Sequence, residues 1–303
     1  MVWRFTDGKP GHENQSLGLL NALGLRLAVD AYTLSAASPG RSIMNGLLGS
    51  FPAGVSLPDP DIILGAGHAT HIHMLNARRA RGGRVVVLMK PSMPLKCFDL
   101  CVVPEHDGVR PAANVLVTRG ALNTMTPDKT SKKQGGLFLI GGPSRHFGWS
   151  DEDICSQILA IVDKEPHEKW ILSTSRRTPD SFLQAIESLG AKNITIVSLQ
   201  ETGAGWVAEH LAASENVWVT KDSVSMVYEA LTSGAAVGLL DLPQRAAGRV
   251  ARGVAQLIAD GLVTTFKTWR VGEGALAPPA REFNEAARCA DEICRRWFEV
   301  VKT

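Results

Sequence analysis

Residues 218–229 combine hydroxyl groups, carboxylates and an apolar strand in a pattern that suits anion binding. The pattern predicts a strand ending near Val219, a polar turn, and a helix that ends at Gly234. The first N–H groups of a helix lack intrahelical acceptors and the helix dipole is positive there, so this end attracts phosphate. The same residues are also typical of an ordinary cap, in which Asp222 or Ser223 accepts a backbone N–H group. Both interpretations remain open for this segment alone.

Two further loops in the second half of the chain have a similar character. Residues 141–146 read Gly-Gly-Pro-Ser-Arg-His, and residues 173–179 read Ser-Thr-Ser-Arg-Arg-Thr-Pro. Each follows a predicted strand and precedes a predicted helix, where glycine, hydroxyl and arginine groups suit a phosphate. Independent helix caps explain each loop singly but explain their coincidence less well. The sequence therefore predicts an anion site built from three strand ends.

A loop in the first half carries groups suited to proton transfer. Residues 6–15 read Thr-Asp-Gly-Lys-Pro-Gly-His-Glu-Asn-Gln, between a predicted strand and helix. His12 is the residue type best suited to proton transfer near neutral pH, and Asp7 could orient it or act itself. The loop has neither the Walker nor the Gly-x-Gly-x-x-Gly pattern. A tight turn capped by His12 or Asn14 is the alternative interpretation.

Histidines in two other loops raise the question of a metal. On a helix His68 and His71 would share a face, whereas His73 would not, and no further ligand is evident. The sequence therefore favours a polar lining or cap over a metal site. Residues 104–107, which include Glu105, offer a second set of candidate bases or ordinary surface groups.

Length and composition limit the class of protein. The 303 residues exceed what one hydrophobic core usually serves, which predicts two domains, and the net charge of +2 gives no indication of nucleic-acid binding. No apolar run reaches the roughly 18 residues of a membrane span, and the N-terminus has no signal-peptide pattern. Five cysteines, an odd number without Cys-x-x-Cys spacing, predict free thiols in the cytoplasm and no zinc site.

Short apolar runs alternate with helical patterns along the whole chain, which predicts parallel sheets covered by helices on both faces. The predicted strands are 2–5, 29–34, 62–64, 85–89, 100–103, 115–117, 137–140, 170–172, 194–197, 217–219 and 236–240. The predicted helices between them are 13–25, about 69–81, 151–162, 179–189, 222–233 and about 245–260. A polar stretch interrupts the alternation and predicts a linker. The predicted organisation is an N-terminal domain (1–125), a linker (126–136), a second domain (137–279) and a C-terminal helix (280–303). Ligands of such folds bind at the carboxyl ends of strands, here in a cleft between domains.

Residues 41–51 contain apolar residues at helical spacing together with one cation. A helix packed on the sheet is the favoured interpretation, and contact with a membrane surface is the alternative.

With these loops identified, the chain resembles the GT-B type of nucleotide-sugar glycosyltransferase. More narrowly, it resembles the bacterial branch of the mitochondrial-fission ELM-like family. The residues that carry the resemblance are 7–15, 141–144, 220–226 and 229–230. The resemblance implies an α/β fold of two Rossmann-like domains facing a cleft, with a C-terminal helix that crosses back to the first domain.

The resemblance also implies roles for individual residues. The expected catalytic residues are His12 and Asp7. The expected donor-binding residues are Gly141, Gly142, Ser144, Arg145, Arg176, Thr220, Asp222, Ser223, Ser225, Met226 and Glu229. Among them, Glu229 would bind the ribose hydroxyls, and Arg145 or Arg176 would neutralise the leaving diphosphate. The expected acceptor-side residues are Gly8, Lys9, Gly11, Asn14, Gln15, His68 and Glu105.

The implied activity is transfer of a sugar from a nucleoside diphosphate to an acceptor hydroxyl, with a saccharide or lipid-linked acceptor of the cell envelope. The resemblance implies no cofactor, and the loops named above lack an Asp-x-Asp, so we expect metal-independent transfer. Peripheral contact with the inner membrane is expected if the acceptor is lipid-linked. Two alternatives remain: a non-catalytic nucleotide-sugar or partner-binding protein, and a sugar-nucleotide epimerase. The epimerase alternative fits less well, because the chain has neither the Gly-x-Gly-x-x-Gly nor the Tyr-x-x-x-Lys pattern.

Overall fold

The computed structural model describes residues 1–36, 51–127, 132–246, 248–272 and 275–298. The chain divides into two compact units. Unit 1 is Met1–Thr124 together with the segment that starts at Glu285, and unit 2 is Met125–Asn284. The chain therefore returns from unit 2 to unit 1 between residues 284 and 285, five residues after the predicted boundary at 279. Residues 128–131 of the predicted linker lie outside the described residues.

Unit 1 contains a six-stranded sheet in the order β2-β1-β3-β4-β5-β6, with every pairing parallel. Its strands are β1 (Val2–Thr6), β2 (Ala31–Ser35), β3 (Ile62–Ala66), β4 (Arg84–Leu88), β5 (Leu100–Pro104) and β6 (Val115–Thr118). The α-helices among its described residues are α1 (Pro10–Gly24), α2 (His71–Arg81) and, after unit 2, α9 (Glu285–Trp297). Strands β3 and β5 are buried along their whole length, as expected of apolar runs covered on both faces.

Unit 2 contains a second six-stranded parallel sheet, in the order β12-β11-β10-β7-β8-β9. Its strands are β7 (Gly136–Leu139), β8 (Trp170–Ser173), β9 (Ile194–Val197), β10 (Asn216–Thr220), β11 (Ala236–Leu240) and β12 (Thr264–Thr265). Its helices are α3 (Asp151–Lys164), α4 (Asp180–Ser188), α5 (Trp206–Ala213), α6 (Val224–Ser233), α7 (Arg249–Ala259) and α8 (Phe266–Val271). The unit is thus a Rossmann-like domain with the strand order of a doubly wound sheet.

Each sheet has one point at which the chain reverses the direction of strand addition. In unit 1 the reversal lies between β1 and β3, and in unit 2 it lies between β7 and β10. Loops that leave the carboxyl ends of these neighbouring strands diverge to opposite faces and leave a crevice between them, which is where open α/β sheets bind ligands. Four of the loops that the sequence singled out follow these four strands, whereas the loops at 173–179 and 104–107 follow β8 and β5.

The two units have separate hydrophobic cores. In unit 2, Phe138, Trp170 and Trp218 are fully buried together with the apolar face of α3. In unit 1, one core lies between the sheet, α1 and α9, where Leu19 and Leu23 meet the buried face of α9. The predicted return of the C-terminal helix to the first domain is therefore present in the structure.

The predicted elements and the structure differ in a few places. The C-terminal helix begins at Glu285 rather than near 280, and Met89 lies just beyond β4 with a left-handed φ of 71°. Two short helices, α5 and α8, and the two-residue strand β12 were not predicted.

None of the described helices is long and apolar enough to cross a bilayer. Most of the apolar stretch 41–51 lies outside the described residues. Its last residue, Phe51, stacks on Trp3 with the ring centroids 5.7 Å apart.

Candidate functional site

A carboxylate–imidazole pair lies at the reversal point of unit 1. His12 Nδ1 lies 2.9 Å from Asp7 Oδ2 and 3.1 Å from Oδ1. The Asp7 side chain is 3% exposed and that of His12 is 18% exposed, so the imidazole lies between the buried carboxylate and the surface. Because a carboxylate only accepts hydrogen bonds, the neutral ring donates from Nδ1 and keeps Nε2 as an acceptor. Such a ring can remove a proton from a hydroxyl group placed at Nε2.

The local chain geometry explains how the pair forms. The backbone N–H of Lys9 donates to Asp7 Oδ1 at 3.2 Å, which closes the turn after β1. Gly8, at φ 77°, supplies the left-handed residue of that turn. Pro10 then opens α1, and His12 falls in its first turn.

The next loop of the reversal point contacts the pair directly. Gly67, the first residue after β3, has φ 83°, and a Cβ atom there would lie less than 3.0 Å from the His12 ring and 3.1 Å from Asp7 Oδ2. A side chain at this position would therefore occupy the space of the imidazole. The structure thus brings together residues 7–12 and Gly67, a residue to which the sequence assigned no role.

The other predicted acceptor-side residues lie at varying places in unit 1. Gln15 is buried and donates to Gly11 O, and Asn14 accepts a hydrogen bond from Thr124. His68 is exposed in a 3-10 turn, and Glu105 is exposed in the turn after β5. Within the described residues, no contact joins Glu105 to the Asp7–His12 pair.

The two remaining histidines of the 65–73 segment are core residues. His71 packs edge-on against Phe98, and its Nδ1 lies 3.3 Å from Ser92 Oγ, while His73 stacks on Phe5. Burial, and secondarily the charge of His68, lowers the pKa of His71 to about 4. His71 is therefore neutral at physiological pH and part of the structural core. Among the described residues, no group of three or more His, Cys, Asp or Glu side chains is arranged for a metal ion.

The lowered pKa of His71 predicts a loss of stability in acid. The unfolded chain binds a proton at His71 below about pH 6.5 and the folded chain only below about pH 4, so the free energy of unfolding falls as the pH drops through that window. The loss amounts to at most about 3 kcal/mol. We expect urea titrations between pH 7 and pH 4 to show a smaller loss for His71→Gln than for the wild type. Equal losses would contradict the assignment.

In unit 2, the two glycines after β7 are bound to the loop after β10. The N–H of Gly141 donates to Thr220 Oγ1 at 2.8 Å, and the N–H of Gly142 donates to Asp222 Oδ2 at 3.2 Å. Both amides that the sequence suggested for a diphosphate are thus satisfied within the protein. They join the two loops of the reversal point.

An arginine that the sequence did not single out completes this junction. Arg177 Nη2 lies 2.7 Å from Asp222 Oδ2 and donates to Ser223 Oγ at 2.8 Å. The Asp222 side chain is 0% exposed, whereas Arg177 is 44% exposed. A Cβ atom on Gly142 would overlap the carbonyl group of Arg177, so the glycine permits this close approach. The loops after β7, β8 and β10 therefore meet around one buried carboxylate.

Helix α6 begins immediately after this junction, and its first turn is open. Ser223 is the N-cap residue but makes no side-chain cap hydrogen bond. Asp222 binds Gly142 and Arg177 instead, so the ordinary cap that the sequence allowed does not form. Ser225 is exposed in the first turn, and Glu229 is half-buried one turn further along. The first-turn N–H groups of α6 are consequently available to an anion.

The remaining predicted donor-binding residues do not join the junction. Ser144 Oγ accepts the N–H of Phe147 within a tight turn, and Met226 is half-buried in α6. Arg145 and Arg176 are exposed, and neither makes an ion pair with any described residue. The adjacent arginines 176 and 177 thus differ in their surroundings.

The cysteine thiols and the Asp-x-Asp pairs of the chain are the groups from which a nucleophilic thiol and a metal-binding motif would come. The five cysteines are free, and burial raises the pKa of Cys101 to about 12 and that of Cys155 to about 11, which leaves these two as unreactive thiols. Asp-x-Asp pairs do occur at 59–61 and 151–153, outside the candidate loops. Asp59 and Asp61 bind Arg81 and the terminal amine, and Asp151 accepts from Trp149.

Sequence comparison relates most of the chain to one family. The profile of the family described as mitochondrial fission ELM1 matches residues 10–297. A curated relative from Rickettsia prowazekii (strain Madrid E), named uncharacterized protein RP120, is 23% identical over 298 residues, covering 77% of this chain and 81% of the relative.

Solved structures share the fold at low sequence identity. The UDP-GlcNAc 2-epimerase from Methanocaldococcus jannaschii matches with a TM-score of 0.59 and 12% identity over 97% of this chain and 100% of the other. A second structure of that enzyme, in complex with UDP-GlcNAc and UDP, matches with a TM-score of 0.51, 11% identity and the same coverage. The glycotransferase of kitacinnamycin matches with a TM-score of 0.53 and 13% identity over 98% of this chain and 98% of that one. The shared fold is that of GT-B-like nucleotide-sugar enzymes, with two Rossmann-like domains.

Proposed function

The chain belongs to the mitochondrial fission ELM1 family, and on that premise we propose that it transfers a glycosyl group from a nucleoside-diphosphate sugar to an acceptor hydroxyl. The fold is GT-B-like, and its solved relatives include both transferases and epimerases of nucleotide sugars. The fold alone does not select one of these reactions, so the choice rests on the residues at the reversal points.

One observation carries the proposal: the loops after β7, β8 and β10 meet at the start of α6, in a fold whose relatives act on nucleotide sugars. The open first turn of α6, Ser223 and the arginine-bearing loop together offer positive potential and hydrogen-bond donors. These are the groups that stabilise the charge on a leaving diphosphate. We assign the donor diphosphate to this end of unit 2 and its ribose to Glu229.

The Asp7–His12 pair supplies the complementary chemistry. The acceptor hydroxyl gives its proton to His12 Nε2 as its oxygen bonds to the anomeric carbon, while the bond from that carbon to the diphosphate breaks. Asp7 holds the imidazole and stabilises its positive charge. The negative charge passes to the diphosphate, where the donors of unit 2 stabilise it without a metal.

A second candidate is epimerisation of the donor itself, because several structures with this fold are UDP-GlcNAc 2-epimerases. It differs from transfer in one respect that can be measured: an epimerase consumes its nucleotide sugar with no acceptor present. A cell-envelope acceptor, cytoplasmic location and contact with the inner membrane belong to the first proposal.

We expect one class of nucleotide sugar to stabilise the protein in a thermal-shift panel of UDP-, GDP-, ADP-, CMP- and dTDP-sugars. A ligand at 100 times its dissociation constant adds about 2.7 kcal/mol to the free energy of unfolding. Glu229→Gln should abolish most of that shift, because a charge-assisted hydrogen bond to the ribose is lost. Glu187→Gln, which changes an exposed carboxylate on α4, is the matched control.

The outcomes separate the proposals. Stabilisation without turnover, even with acceptors supplied, would leave a nucleotide-sugar-binding protein and contradict transfer. Turnover without acceptor would favour epimerisation. Absence of any shift for the wild type would contradict a donor site in unit 2.

A further inference from the structure

The arginine that binds the diphosphate can be identified from its surroundings. We propose that Arg177 binds the diphosphate of the nucleotide sugar, and that buried Asp222 is the residue that positions it. This inference rests on the proposed function and assigns the cationic role to neither Arg145 nor Arg176.

Three donors converge on a single oxygen of Asp222. Arg177 Nη2 lies 2.7 Å from Oδ2, the N–H of Gly142 lies 3.2 Å from it, and Ser223 Oγ lies 3.3 Å from it. The carboxylate is 0% exposed, and a Cβ atom at Gly141 would lie less than 3.0 Å from both of its oxygens. The carboxylate is therefore enclosed and cannot rotate away when a ligand arrives.

The other oxygen of the same carboxylate is not satisfied. Asp222 Oδ1 is buried and has no hydrogen-bond partner among the described residues. An unpaired buried acceptor costs free energy, and a buried ion pair is weak support for stability. The arrangement is therefore poorly explained as a stabilising device. Its clear structural effect is to hold the Arg177 guanidinium in one place.

The guanidinium held in this way still has donors to offer. Its Nη2 group serves Asp222 and Ser223, and Nη1 makes one long contact of 3.4 Å with Gly142 O. A guanidinium has five N–H donors, so Nε and part of Nη1 remain for a ligand. Arg177 is 44% exposed, which gives an anion access to that side.

The three arginines differ in how much side-chain freedom each would lose on binding an anion. Arg145 and Arg176 are exposed and make no ion pair within the described part of the chain, so each would lose side-chain freedom on binding an anion. Arg177 has already lost that freedom through Asp222. A pre-organised cation binds the same ligand more tightly.

The test compares binding of nucleoside diphosphates with binding of the matching nucleosides. Isothermal titration with UDP, GDP, ADP, CDP and dTDP identifies the base that the wild type prefers. The nucleoside with that base is then titrated as the ligand that lacks the phosphates. We expect Arg177→Gln to weaken the diphosphate by about 10- to 100-fold and the nucleoside by less than about 3-fold. Arg177→Lys keeps the charge but loses the planar fork of donors, so its diphosphate affinity should lie between those of the wild type and Arg177→Gln.

Asp222→Asn tests the positioning role. It keeps an acceptor for Gly142 but loses the charge that holds the guanidinium, so we expect about a 10-fold loss of diphosphate affinity with the nucleoside unaffected. A merely structural role would weaken both ligands together. Should Asp222→Asn not fold, as judged by circular dichroism, the Arg177 variants carry the test alone, because their side chain is half-exposed.

Arg176→Gln and Arg145→Gln test the two arginines that the resemblance favoured for the diphosphate, and both should bind as the wild type does if Arg177 has that role. Loss of diphosphate affinity in either of these variants with Arg177→Gln unchanged would overturn the inference and leave the proposed function intact. Tighter diphosphate binding by Asp222→Asn would overturn the positioning role. A wild type that binds no nucleoside diphosphate would overturn both the inference and the proposed function.

Discussion

Replacement of His12 by alanine is expected to lower the rate of sugar transfer by about 100- to 10,000-fold, the range typical of a lost general base. The imidazole is held by buried Asp7 through its Nδ1 atom, so Nε2 is the atom that receives the acceptor proton. Donor binding should be unchanged, because the donor site is assigned to unit 2. The measurement is kcat for transfer, with the dissociation constant of the donor determined separately.

Two further variants make this prediction specific. Asp7→Asn should also lower kcat, since an amide can donate to Nδ1 and so favour the tautomer with its proton on Nε2. His167→Ala removes an exposed histidine of unit 2 that lies outside the candidate loops, and it should leave kcat within about 3-fold of the wild type, as expected of a surface change. If His12→Ala turned over as fast as His167→Ala, His12 would have no role in proton transfer.

Gly67→Ala is expected to reduce kcat by about 100-fold without contact with substrate. The added Cβ atom would overlap the His12 ring and press on Asp7 Oδ2, so the imidazole must shift. A displacement of about 1 Å in a catalytic group can cost a factor of this size. Gly67 has φ 83° and ψ 155°, a backbone conformation essentially restricted to glycine, which adds a cost of about 1–3 kcal/mol to the free energy of folding.

Gly8→Ala separates these two effects. Gly8 has a similar φ of 77°, yet a Cβ atom there would meet no atom within 4 Å. Both variants should therefore lose stability in urea titrations, Gly67→Ala more than Gly8→Ala because of the added overlap with His12, but only Gly67→Ala should lose most of its activity. Equal activity losses in the two variants would show that backbone strain, and not displacement of His12, is responsible.

Much of the fold could be predicted because it depends on local pattern. Buried parallel strands such as β3 and β11 are unbroken apolar runs, and α3 has a serine cap and an acidic first turn. The elements that were not predicted are those with weak patterns. Helix α5 has eight residues after Gly205, and β12 has only two residues, which makes a pairing decided by tertiary contact.

Some parts of the candidate site could likewise be predicted from the sequence, and others could not. The loops that carry Asp7, His12 and Asp222 could be predicted, because parallel strands and reversal points decide where ligands bind. The choice of Arg177 over Arg176 could not be predicted, since it depends on a carboxylate 45 positions later in the chain. The contact of Gly67 with His12 is likewise a consequence of the order of β1 and β3 in the sheet. Roles for Ser225, Met226 and Glu229 stay predictions.

The return of α9 to unit 1 has a consequence for the order in which the protein is made. Leu19 and Leu23 on α1 are synthesised early, but the helix that covers them follows the whole of unit 2. At a synthesis rate of about 5–20 residues per second, the roughly 260 residues between them keep that apolar face uncovered for some 13 to 50 seconds. Unit 2, which is continuous in the chain, can complete its core first on the ribosome. The nascent first domain is therefore the part that we expect chaperones to bind.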